Sequence, residues 1–160
     1  MRRFARLATI LGLSLTLATA TVGSAEARPS RFAVAAVHSA GAGATAGLLT
    51  GAMSWSTSLK TVTLSGVKLF VKGGECINFQ VAGRRGSTIV TDIKRYPSSP
   101  SGGSYCPAAD YTYSFGTISI TADSPGGIEY VDFDIVDYWH SVHGWAVCDR
   151  DAAACTGANH

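Results

Sequence analysis

Glu129, Asp132, Asp134 and Asp137 fall within ten residues of one another, and His140 and His143 follow directly. Carboxylates two residues apart on an extended strand share a face, so Asp132 and Asp134 would stand side by side. Such a pair could ligate Ca²⁺ or work as the acid and base of glycoside hydrolysis. Adding the imidazoles gives a metal-type set of Asp134, Asp137, His140 and His143, the basis of a small hydrolase or metal protein. The spacing argues against it. The chain has neither the Asp-x-Asp-x-Asp-Gly pattern of a calcium loop nor the His-Glu-x-x-His of a helical zinc site, and it lacks a Gly-x-Ser-x-Gly nucleophile turn. A solvated strand face paired with Lys68, Lys72, Lys94 or Arg95 accounts for the carboxylates, and a turn accounts for the histidines. Neither metal nor cofactor is expected.

The aromatic residues suggest binding instead. Tyr96, Tyr105, Tyr111 and Tyr113 flank a loop of Pro, Ser and Gly that contains Cys106, and Trp139 and Trp145 with Tyr138 make a second group. Tyrosine adds contact area at little entropic cost, and a loop fixed by a disulfide is ordered before its partner arrives. Part of this set is expected to pack in the core.

The elements that position these residues read as strands. Apolar side chains alternate at Val62 and Leu64, at Val67, Leu69 and Val71, and at Ile77, Phe79 and Val81, which is the period of half-buried antiparallel strands. The apolar rows on either side of Lys72-Gly73-Gly74 predict a hairpin that pairs Leu69 with Ile77 and Val67 with Phe79, with Gly74 left-handed. Further strands are predicted over 87–95, from Tyr111 with a corner at Gly116-Thr117, over 128–138, and over 144–148. About seven short strands and almost no helical period predict an all-β domain, a single small antiparallel β-sandwich, over 58–160. Residues 28–57 include Ala40-Gly41-Ala42-Gly43-Ala44-Thr45-Ala46-Gly47, which buries little area per residue, and predict a flexible arm or pro-segment. A helix or edge strand through Ala33–Val37 and Leu48-Leu49 is the alternative.

Residues 1–27 read as a secretory signal: Arg2, Arg3 and Arg6, an uncharged apolar run, then Ala25-Glu26-Ala27. The run is shorter than the roughly 20 residues of a spanning helix, so no membrane span is expected after cleavage. The whole chain has 13 basic and 11 acidic residues. Cleavage removes three of the first and one of the second, which leaves the remainder formally neutral. A nucleic-acid ligand is therefore not expected, because no basic stripe exists to neutralise phosphates. Cys76, Cys106, Cys148 and Cys155 all follow the signal, an even number suited to an oxidising compartment. Pairing Cys148 with Cys155 closes a short loop and leaves Cys76 with Cys106, a loop of about 30 residues stabilising by roughly 3 kcal/mol.

In outline (exported, all-β, two disulfides) the chain resembles small bacterial inhibitors of extracellular hydrolases, including the amylase-inhibitor type. The Trp-Arg-Tyr tripeptide of that type is absent here, so the resemblance is architectural and transfers no residue roles. The expected function is that of a secreted, non-catalytic module recognising an extracellular protein or glycan. An envelope or matrix component is a further alternative.

Overall fold

Val62, Leu64, Val67, Leu69 and Val71 do alternate into the interior, but as one strand and not two. The computed structural model describes residues 28–37, 44–98, 103–137 and 142–159; the signal segment, Tyr138, Trp139 and His140 lie outside them. In chain order the strands are β1 (Arg31–Val37), β2 (Thr45–Trp55), β3 (Thr61–Val71), β4 (Ile77–Arg85), β5 (Thr88–Ile89), β6 (Lys94–Tyr96), β7 (Tyr111–Ser114), β8 (Ile118–Thr121), β9 (Tyr130–Asp137), β10 (Val142–Asp149) and β11 (Thr156–Asn159). They form two antiparallel sheets. The first runs β1-β2-β3, with β7 and β8 both on the far side of β3; the second runs β11-β10-β9-β4, with β5 and β6 on the far side of β4. One apolar core is shared by both sheets. Phe32 of β1 stacks on Phe133 of β9 with centroids 4.3 Å apart, and Leu49, Leu64, Leu69, Phe79, Ile120 and Ile135 are buried around them.

The disulfides are Cys76–Cys106 and Cys148–Cys155, as the spacing predicts. The hairpin is not formed as expected. Lys72-Gly73-Gly74-Glu75 is a tight turn, closed by Glu75 N–H donating to Lys72 O at 3.0 Å and with Gly74 at φ +86°, but it passes the chain from one sheet to the other. Both edges of β3 are already taken, by β2 and by β7 with β8, so β4 cannot pair there. The apolar faces that predict a hairpin meet instead across the core.

Residues 28–57, expected as a flexible arm or pro-segment, contain β1 and β2. Phe32, Val34 and Ala36 point inward from β1, and β2 pairs along nearly its whole length with β3. Small residues hide this in the sequence: Ala and Gly dilute the alternation, but their backbones still complete the ladder. The alternative of an edge strand is the one realised for β1. Gly144 shows what small residues permit here, because a methyl group on it would overlap the Ala35 carbonyl. The strand predicted over 87–95 is broken into β5 and β6, whereas the corner at Gly116-Thr117 separates β7 from β8 as expected.

Candidate functional site

On β7, Tyr111, Tyr113 and the next alternate residue, Phe115, share the parity of the inward face, opposite Val71, Leu69 and Val67. Because β7 lies at a sheet edge, only part of this row is covered. Tyr113 and Phe115 are half-buried, and Tyr111 is 56% exposed. Across the core, β4 brings Phe79 and β6 brings Tyr96 as its register partner. The rings form a continuous series. Tyr96 stacks on Phe79 at 4.9 Å, Phe79 meets Phe115 edge-on at 5.0 Å, Phe115 meets Tyr105 at 5.5 Å, Tyr105 meets Tyr113 at 4.4 Å, and Tyr113 meets Tyr111 at 4.8 Å. It runs from a buried root at Phe79 to solvent at Tyr111. Aromatic pairs at these spacings contribute about 0.5–1.5 kcal/mol each beyond their burial.

The loop between β6 and β7 is tied down from Gly103 to Asp110. Cys106 is bonded to Cys76, and Tyr105 and Ile77 exchange backbone hydrogen bonds of 2.8 and 3.2 Å. Gly74 N–H donates to Pro107 O at 2.9 Å, and Asn78 Nδ2 donates to Gly103 O at 3.2 Å. Asp110 accepts from Gly73 N–H at 3.0 Å and from Lys72 Nζ at 2.9 Å, and these two bonds hold its carboxyl below the usual carboxylate range. Burial raises the Tyr96 and Tyr105 phenols above the ordinary tyrosine value, aided at Tyr105 by Tyr113 and Tyr96. Both therefore stay neutral at physiological pH and able to donate a hydrogen bond.

The four sequence-selected tyrosines thus meet in one place. Phe79 and Phe115 belong with them, and the period-two spacing of Tyr111, Tyr113 and Phe115 was the available signal. Trp145 is elsewhere, on the outer face of β10 and in register with Asp134. Trp139 lies outside the described residues.

The acidic segment is dispersed among separate partners. Glu129 takes Arg85 Nε at 3.3 Å and Gly86 N–H at 2.9 Å. Arg84 grips Asp132 through Nε at 2.7 Å and Nη2 at 3.2 Å, a two-pronged geometry that raises the Arg84 pKa further and leaves the guanidinium 4.8 Å over the Tyr130 ring. Asp134 accepts from its register partner Gln80 at 3.0 Å, and Arg95 Nε reaches the same Gln80 at 3.2 Å. His143 Nε2 stands 3.0 Å from Asp137 Oδ2. Of the expected basic partners, Lys72 goes to Asp110, Lys94 to Asp92, and Arg95 acts only through Gln80. Among the described residues no three His, Cys, Asp or Glu side chains converge as a metal site would require; His140 is not among them.

Asp134 allows a test of this dispersed arrangement. Burial chiefly, and the neighbouring Asp132 charge, raise its pKa, while the Gln80 bond opposes them. A raised carboxyl favours folding while protonated, and that contribution is lost as pH rises through the carboxylate range. Asp134→Asn keeps an acceptor for Gln80, so at pH 7 its melting temperature should equal or exceed that of the parent by a few degrees, with no gain at pH 3. A fall specific to pH 7 would mean that the ionised carboxylate is being used, as in a cation site.

Compared with protein-family models, curated proteins and solved structures, the chain finds no match in any of the three. The architectural resemblance to hydrolase inhibitors gains no support from them.

Proposed function

We propose that the protein is a secreted, non-catalytic binding module that engages an extracellular protein or glycan through the tyrosine surface of Tyr105, Tyr111 and Tyr113. The observation that carries this is the graded ring series on a laced loop: a buried root, half-buried middle members and an exposed tip. Binding anchors are commonly rigid aromatics whose ordering cost is met before the partner arrives. Two disulfides suit an exported protein, in keeping with cleavage after Ala27. Asp132 is held by Arg84, Asp134 is bonded to Gln80 and Asp137 lies beside His143, three different described neighbours, which favours this function over a hydrolase built on them.

The ring series also assigns the tyrosines different duties. Tyr111→Ala loses one edge-on ring contact at a mostly exposed site and should cost no more than about 1 kcal/mol of stability, while weakening binding by more than about 1 kcal/mol. Tyr105→Ala removes a ring lodged between Tyr113 and Phe115, and should cost roughly 2 kcal/mol of stability as well. The partner is to be obtained by capture from the producer's culture medium with the purified protein as bait. Affinity and urea midpoint are then measured on both variants. Affinity unchanged in Tyr111→Ala would remove the tip from the interface and end the proposal.

A further inference from the structure

The outer face of the first sheet carries a groove that the tyrosine surface does not use. Its origin is a break in the β2–β3 ladder. Thr50 pairs with Lys68 and Ala52 with Ser65, so Gly51 stands opposite Gly66 and Val67, and Gly66 takes a left-handed φ of +58°. Bulges of this kind re-aim side chains and are common beside binding sites. Gly66 leaves the backbone bare at the break, whereas the missing side chain of Gly51 makes room for the Phe32 ring. The resulting hollow has a volume of about 770 Å³, with the Cys148–Cys155 loop walling it at Ala154 and Cys155.

Its lining has a definite chemistry. Arg31 and Lys68 bring two cations, Thr50 and Ser65 bring hydroxyls, and Ala33 and Ala52 bring methyl groups. No Asp or Glu lines it. Lys68 shares a cross-strand row with Thr50 and Ala33, and Arg31 precedes Ala33 by two residues on the same face of β1. Among the described residues no carboxylate comes within ion-pair distance of Arg31 or Lys68. Five other basic side chains (Lys72, Arg84, Arg85, Lys94 and Arg150) do have such partners. Among the described residues Arg28, Lys60 and Arg95 also lack an ion pair, but Arg31 and Lys68 stand together in one hollow without a carboxylate in its lining.

We infer that this groove binds an acidic oligosaccharide. Anionic groups on the sugar would take the Arg31 fork and the Lys68 ammonium, while hydroxyls and C–H faces of the rings lie on Thr50, Ser65 and the alanine methyls. An open, shallow hollow suits a chain of rings that enters and leaves it better than it suits an enclosed small molecule.

The test is titration calorimetry on the purified protein. Two acidic probes, oligogalacturonate (carboxylated) and dextran sulfate (sulfated), are each compared with a neutral counterpart, malto-oligosaccharide or dextran. Binding of either acidic probe without its neutral counterpart is expected, and which one binds identifies the anionic group. Arg31→Gln and Lys68→Gln should each weaken it about tenfold, the scale of a lost charge-assisted hydrogen bond. Both side chains are exposed, so melting temperatures should not move. Lys60→Gln removes the same charge at an exposed lysine outside the groove, and Tyr111→Ala alters the tyrosine surface; neither should change the affinity. The inference is overturned if neither acidic probe binds, if neutral probes bind equally well, or if Lys60→Gln weakens binding as much as Lys68→Gln. Because Tyr111→Ala reports on the other surface, failure here leaves the proposed function standing, and the reverse also holds.

Discussion

Phe79→Ala should lower stability by about 3–5 kcal/mol, the range for a fully buried ring whose cavity cannot collapse. Phe79 is 1% exposed, stacked on Tyr96 and met edge-on by Phe115, and it stands on the central β4 between β9 and β6. Neighbours from both sheets define the space it fills, so relaxation from one side does not close the gap. Phe70→Ala is the comparison. Phe70 lies on the opposite face of β3 from Leu69 and is only partly buried, so the same truncation there should cost much less. Chemical denaturation of both variants decides the matter. A Phe79→Ala loss no larger than that of Phe70→Ala would show that the ring series is not rooted in the core. The functional consequence is distinct from that at Tyr111. Removing the root should loosen Tyr96 and Phe115 and weaken binding indirectly, together with a large loss of stability, whereas removing the tip weakens binding with little loss of stability.

Most strands beyond residue 58 were legible because large β-branched and aromatic side chains mark the period clearly, as at Ile77-Asn78-Phe79-Gln80-Val81, but β11, built of Thr, Gly, Ala and Asn, was not. Alternation fixes which face is buried but is silent on which strand lies alongside. Val67, Leu69 and Val71 must cover apolar surface, and that demand is met equally by a neighbour in the same sheet or by a facing strand in the other. The Lys72–Glu75 turn serves either arrangement. Where the side chains are small, as in Thr45-Ala46-Gly47, even the alternation fades, and β2 depends on its ladder with β3. The tyrosines of the candidate site were visible in the composition of the loop, and the disulfide that fixes them was visible in the cysteine spacing. Their order from core to solvent was not, because it depends on Phe79 and Phe115 arriving from different sheets. The Arg31–Lys68 groove had no signature in the chain at all. It joins residues on β1 and β3 through a ladder break at Gly51 and Gly66.

Replacing Cys76 and Cys106 together with Ser should cost about 3 kcal/mol of stability, and the loss should be unevenly distributed. The 30-residue separation sets the global part, since an uncrosslinked unfolded chain regains the entropy of that loop, about 3 kcal/mol on the chain-entropy account. The local part follows from where the bond sits. Cys76 precedes Ile77 and Cys106 follows Tyr105, so the disulfide is adjacent to the reciprocal hydrogen bonds that join those two residues. Residue 105 has no longer strand to hold it, and its bridge to Ile77 is isolated. Without the covalent tie, that bridge should open at a lower free energy than the long β4–β9 ladder. Amide exchange would therefore speed most at Tyr105 and Ile77, and binding through the tyrosines should weaken because loop order must then be supplied on association. Removing Cys148 and Cys155 is the control: their separation is only 7 residues and they join β10 to the segment before β11, so the tyrosine surface should keep its affinity. The decisive outcome is the exchange pattern. If Tyr105 and Ile77 keep the protection of the β9 amides in the Cys76/Cys106 variant, the disulfide acts on the unfolded chain alone and does not pre-order the recognition loop.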